Sequence, residues 1–159
     1  MRRKDRAVLD QEEIFDILRR CSTVRIAMQG AEYPYVVPVS FGMEVLDHTA
    51  VIYFHSAQQG LKLDLLRANP HVCIEGDLFL GVEETAHGIT TRYESVIGFG
   101  ECRFVSDPHE VLHGLTLLTK HYGYAGYPLT RCAGLTHLTM GKIVLHELTG
   151  KRNLPDGQP

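Results

Sequence analysis

Lys62 stands just inside a helix-like run that is introduced by a polar step, His55-Ser56-Ala57-Gln58-Gln59-Gly60. A hydroxyl, a glycine and an ammonium at the start of a helix suit a phosphate, because the first backbone N–H groups of a helix have no partner inside it. The plainer reading of Ser56 is a helix cap. His55 follows an aromatic strand pattern and precedes the same step, a position from which an imidazole can orient a cofactor ring or pass a proton. A structural, hydrogen-bonded histidine is the alternative. Arg2, Arg3, Lys4 and Arg6 form a small basic arm that reads either as a solvated terminus or as a contact for a phosphorylated ligand.

Other chemistry has thinner support. His109-Glu110-Val111-Leu112-His113 matches H-E-x-x-H literally and puts two histidines on one helix face, as zinc can use. Asp107-Pro108 sets His109 in the exposed first turn, where a ligand is poorly held, and no third ligand is evident, so no metal is expected. There is no GxSxG, GxGxxG or Walker sequence, and neither Ser56 nor Ser95 has a positioned base. Cys21, Cys73, Cys102 and Cys132 lie far apart without a CxxC pair, which fits buried thiols in a reducing compartment better than a zinc ribbon or redox motif.

The elements that must position these residues alternate between the two hydrophobic periods. Asp10 followed by Glu13 has capping-box spacing, and Ile14, Phe15 and Leu18 continue at helical spacing to about Arg20. Strands are expected over Thr23–Met28, Tyr35–Gly42, Ala50–His55, His71–Gly76, Thr90–Val105 and Met140–Leu148, with Val45–His48 as a hairpin connection and residues 78–87 as a surface loop. Pro38 inside a strand predicts an edge, a bulge or a ligand-facing stretch. Gly98 and Gly100 predict a bend or a close backbone approach. Short helices follow Gly60 and Asp107-Pro108, the second with Asp as cap and Pro at its first position. Consecutive hairpin-linked strands argue for an antiparallel sheet, and six of them that must hide both edges argue for a barrel.

The bulk properties agree with a single ordinary domain. The 159 residues are 44% hydrophobic with a net charge of −3, enough for a core and without a basic field for nucleic acid or anionic lipid. The basic-then-acidic N-terminus lacks an apolar signal core, and no apolar run reaches spanning length, so a cytoplasmic location is expected.

Three segments taken in order, YVVPVSFG, IYFHSAQQGLKLDLLRANP and TTRYESVIGFGE, resemble the pyridoxamine 5′-phosphate oxidase-like, FMN-binding split-barrel proteins. The branch they look most like is the nitroimidazole-resistance (Nim-type) flavoproteins, and MRRKDRAVLDQEEI and LTGKRN fit it too. The resemblance covers roughly residues 1–153. It implies a mainly β fold with flanking helices, a six-stranded antiparallel split β-barrel over residues 1–150 with a polar C-terminal tail at 151–159. It also implies a homodimer with FMN at the subunit interface. Matching positions would set Pro38, Val39 and Ser40 along the isoalloxazine ring and His55, Ser56 and Ala57 beside ring and ribityl chain. Lys62 would hold the phosphate, and Arg92, Tyr93 and Ser95 would help from near the interface. The function so implied is an FMN-dependent oxidoreductase. It would pass electrons from NADH or NADPH to a small acceptor such as a nitroaromatic, with His55 donating a proton or orienting the ring. The alternative is a non-catalytic flavin- or haem-binding storage or sensor protein, since relatives of this fold also use F420 or haem. The tail lacks the arginine-rich segment of true pyridoxamine-phosphate oxidases, so oxidation of vitamin B6 phosphate is not expected.

Overall fold

The structure, a computed structural model, describes residues 3–86, 88–131 and 137–155. Asp10 starts α1 (Gln11–Arg20) by accepting a hydrogen bond from the Glu12 amide at 2.9 Å. Acidic residues fill the first turn and Arg19 and Arg20 the last, as the helix dipole favours. Its stripe of Ile14, Phe15, Ile17 and Leu18 is buried. Glu13 does not close a capping box; its carboxylate pairs with Arg152 at 3.2 Å.

The strands are β1 (Ala7–Val8), β2 (Val24–Met28), β3 (Tyr35–Val39), β4 (Gly42–Leu46), β5 (Thr49–Ala57), β6 (His71–Thr85), β7 (Gly88–Val105) and β8 (Leu138–Asn153). The other helices are α2 (Leu61–Ala68) and α3 (Pro108–His121). Every pairing among the described residues is antiparallel, in the order β3-β2-β6-β7-β8-β5-β4 with β1 beside β8. The two ends of this path, β3 and β4, are joined by Ser40 and Phe41 alone. Such a link spans at most about 11 Å, so the sheet must roll until its ends nearly meet. The ends do not pair, which leaves a seam, and the result is the mainly β, antiparallel split barrel expected.

Inside lie Phe15, Ile26, Ile52, Phe54, Ile74, Val96 and Ile143, all essentially inaccessible. A second cluster, Val51, Tyr53, Leu115 and Met140, sits outside the barrel under α3. The β7–β8 register slips between Phe99 and Gly100, where a side chain on Gly100 would run into the Val144 carbonyl, as the close glycine pair anticipates.

The expected elements differ in five places, the first being β1 (Ala7–Val8), an unexpected strand that together with the break at Ser40 makes eight strands of the six expected. The strand expected over Tyr35–Gly42 is broken at Ser40 into β3 and β4, because its two halves serve opposite ends of the sheet. The hairpin connection is tighter than Val45–His48: Val45 and Leu46 belong to β4, and only Asp47 and His48 turn, both with positive φ (48° and 61°). The expected loop over residues 78–87 is strand to Thr85, paired with β7 and kinked by a register shift between Phe79 and Gly81. The last strand runs to Asn153, so residues 151–153 of the expected tail are in the sheet, where Lys151 pairs with Ala7 of β1.

Candidate functional site

Several of the residues singled out by type sit at the end of β3, at the end of β5 and in the first turn of α2. β4 and β5 pair from Leu46–Thr49 to Gly42–Tyr53. Continued two residues further, this register sets Ser40 opposite His55, and one more sets Val39 opposite Ser56. Val39, however, already pairs with Val24 on β2. The chain must therefore peel away from β5 at Ser40, opening a notch between β3 and the end of β5. Pro38 pairs in register with Arg25 on a strand that ends the sheet path, where a missing N–H interrupts no ladder. Ser40, His55 and Ala57 are exposed and Ser56 is half-buried. The strand expected over Ala50–His55 runs two residues into the polar step: His55, Ser56 and Ala57 pair with Met140, Thr139 and Leu138.

Three residues beyond Ala57, α2 begins on Gly60, whose φ is 140°, and no side chain caps it. The capping reading of Ser56 is thus overturned, since a residue held in the β5–β8 ladder is not the N-cap. Lys62, in the first turn, is half-buried with its Nζ 5.3 Å from the centroid of the Phe54 ring. No carboxylate pairs with it among the described residues, and burial lowers its pKa below the usual ammonium range. An unpaired, partly desolvated cation beside an uncapped helix start is an arrangement that an anion relieves.

The remaining expected contacts lie elsewhere in the same chain. Tyr93 and Ser95 share the outer face of β7 with Ile97 and Phe99, whereas Cys102, which faces Lys62 electrostatically, lies far along the strand, roughly 25 Å from Ser95. Arg92 is engaged within the chain. Its guanidinium donates to Glu83 at 2.7 Å and to the Leu154 carbonyl at 2.7 Å, holding the end of β8 against the β6–β7 hairpin. Phe79, Ile97 and Phe99 leave an apolar outer face, with Phe79 67% exposed.

Over residues 10–152 the chain matches the pyridoxamine 5′-phosphate oxidase family. It belongs to that family. Its fold superposes on a candidate 5-nitroimidazole antibiotic resistance protein from Bacteroides thetaiotaomicron with a TM-score of 0.81 and 27% identity, covering 92% of this chain and 86% of that one. The flavocytochrome Anf3 from Azotobacter vinelandii gives 0.82 at 18% identity over 98% and 72% of the two chains. A FAD-binding protein from Mesorhizobium loti gives 0.64 at 23% identity over 92% and 96%. No curated protein matches the sequence.

This member of the pyridoxamine 5′-phosphate oxidase family also carries a polar chain that its sequence did not announce. His113 Nε2 and Glu44 Oε2 are 2.9 Å apart, and the buried Tyr53 hydroxyl lies 3.3 Å from both Glu44 and Glu110. Lys142 donates to Glu110 at 2.6 Å, which raises the lysine pKa. Four elements contribute, and no spacing along the chain links them. Within the HEVLH motif Glu110 pairs with Lys142 and His113 with Glu44, His109 is exposed, and no group of three metal-ligating residues occurs among the described residues. Burial pushes the Cys21 and Cys102 thiols up to about 11 and about 12, so both are inert thiols, while Cys73 is half-buried and Cys132 lies outside the described residues. In the basic arm, Arg3 is taken up by Asp5 at 2.6 Å, and Arg2 lies outside the described residues. The largest cavity described, about 440 Å³, is lined by Glu101, Arg103, Glu110, Lys142 and His146 among others and includes none of the seam residues.

Proposed function

We propose that the chain is a flavin-dependent oxidoreductase with FMN as its cofactor, held at the seam. One observation carries this reading: Lys62 is a half-buried cation without a carboxylate partner among the described residues, in the first turn of a helix that no side chain caps and that follows directly on the end of β5. Lys62 and the first amides of α2 would take the phosphate, and Pro38, Val39, Ser40, His55, Ser56 and Ala57 would line the ring and ribityl chain. The flavin, when bound, would supply hydride and electron transfer from NADH or NADPH to a small electrophile such as a nitroaromatic. The likeness to the candidate nitroimidazole-resistance protein supports that acceptor class. His55, exposed at the end of β5, would orient the ring edge or deliver a proton to the acceptor.

The reading includes a homodimer. Tyr93 and Ser95 cannot reach Lys62 of their own chain, and the exposed Phe79, Ile97 and Phe99 lie on their face of the sheet. A second copy packed there would bury this apolar surface and bring its own Tyr93 and Ser95 to the seam.

An absorbance spectrum of the protein as isolated, or after addition of FMN, is the first test. A bound-flavin band that bleaches with NADH or NADPH and returns with a nitroaromatic supports the oxidoreductase. A band that never bleaches supports a flavin-binding protein without turnover. Protein that takes up no flavin overturns the reading, and a monomer by light scattering removes the dimer from it.

A further inference from the structure

Beyond the residues expected to touch the cofactor, the last turn of α3 holds the seam in shape, and we infer that Tyr122, with His121, is a positioning residue for the ring-lining segment Pro38–Ser40. This rests on the flavin reading of the seam.

The Phe41 amide belongs to neither ladder, since β3 ends at Val39 and β4 begins at Gly42. It donates instead to the Tyr122 hydroxyl at 3.3 Å, and that hydroxyl donates to the Ser22 carbonyl at 2.6 Å. Ser22 precedes β2, the strand that holds β3. One phenol therefore joins the two backbones that diverge around Ser40. His121 acts alongside. Its Nε2–H donates to the Cys21 carbonyl at 2.8 Å, and its ring lies 4.3 Å from that of the fully buried Phe41. The two side chains also meet edge to face, 4.9 Å between centroids. The next residue, Gly42, is pressed on α3 itself: a Cβ there would sit 2.4 Å from the Leu118 amide nitrogen.

Ser40 is thereby exposed but anchored on both sides, by the Val39–Val24 pair and by the Phe41 clamp. The distance of the ring-lining segment from His55 is set by α3, about eighty residues later in the chain. Without the phenol hydroxyl, the Phe41 N–H and the Ser22 carbonyl lose their shared partner and the notch loses its fixed width. The aromatic packing of Phe41 would keep the fold.

The test compares FMN with riboflavin, which lacks the phosphate. Tyr122→Phe should weaken both flavins by the same factor, roughly three- to tenfold as for one net hydrogen bond. It should also change the visible circular dichroism of the bound flavin, which reports the asymmetric setting of the ring. Lys62→Ala should weaken FMN alone, and Tyr127→Phe, on the same loop, should change neither. If Tyr122→Phe does not fold, His121→Gln is read in its place with the same expectations, because it removes the ring against Phe41. Wild-type affinity and dichroism in the variant overturn the inference while leaving the flavin reading intact. A loss confined to FMN also overturns it, by placing the effect at the phosphate. A wild-type protein that binds neither flavin removes the premise.

Discussion

The three helices begin in two different ways. α1 and α3 start on aspartates, Asp10 and Asp107, whose carboxylates accept from the Glu12 and His109 amides at 2.9 Å and 3.3 Å. α2 starts on Gly60 with no side-chain acceptor, and the cation in its first turn has no carboxylate partner. A helix start that only needs stability takes a short acidic cap, because the cap satisfies orphan amides at little cost. A helix start that receives an anion leaves its first amides open; in α2 the first-turn carboxylate of Asp64 pairs with Arg67 at 3.3 Å and caps none of them. Under the flavin reading, the open start of α2 is where the phosphate would sit.

Removing the cation is the hardest blow to that contrast. Lys62→Ala should lower FMN affinity by about 1.5–3 kcal/mol, the range for a charge-assisted hydrogen bond, measured by quenching of flavin fluorescence on titration. Unchanged FMN affinity would move the phosphate to another site and dissolve the difference between the helices.

Proton uptake sharpens the comparison next. Burial lowers the Lys62 pKa, and a phosphate beside it favours the ammonium form. FMN binding should therefore be flat at lower pH and weaken as pH rises through the lowered pKa, whereas riboflavin binding and the Lys62→Ala variant should not show that decline. For the flavin-free fold the sign is opposite. The unfolded chain binds the proton more tightly, so this lysine's contribution to stability rises with pH above its folded pKa. A calorimetric pH series reads both slopes, and FMN binding that strengthens toward alkaline pH would contradict the assignment.

The capped helices supply the third break. Asp10→Ala should cost about 1 kcal/mol of stability and Asp107→Ala somewhat less, given its longer contact, each read from denaturant unfolding. Neither should alter flavin affinity. If Asp107→Ala changes flavin binding more than stability, α3's start is not the purely structural end described.

The smallest effect is expected at the metal-like motif. His109→Ala should leave stability and activity within about 0.5 kcal/mol of the parent, as for an exposed surface change. Chelator treatment should do nothing. Zinc found in stoichiometric amount by elemental analysis would reverse this.

The legible parts of the molecule were local. The Asp10 and Asp107 caps, the Asn69-Pro70 stop after α2 and the alternation of β7 follow from neighbours within a few residues, where capping and periodicity act. The strand beyond Gly76 was not legible, because past Leu78, from Phe79 to Glu84, both faces are largely exposed and the alternation that marks a half-buried strand is lost. The turn at Asp47-His48 was blurred for a related reason: Val45 and Leu46 lie on an edge strand with weak burial contrast. The resemblance offered Arg92 to the cofactor from near the interface, yet Glu83 and the Leu154 carbonyl occupy it within the chain.

By itself the sequence determined which chemistry was on offer. A hydroxyl, an imidazole and an ammonium within eight residues, followed by a helix without an acidic cap, are properties of neighbours along the chain. Tertiary structure alone decided where that chemistry acts and what was withdrawn from it. Closing the sheet brings β3 and β4 to its two ends, draws Tyr122 onto Phe41, and spends Glu110 and His113 on Lys142 and Glu44. These contacts depend on how far a sheet must roll before its ends meet, a property of the whole path of strands and not of any segment in it.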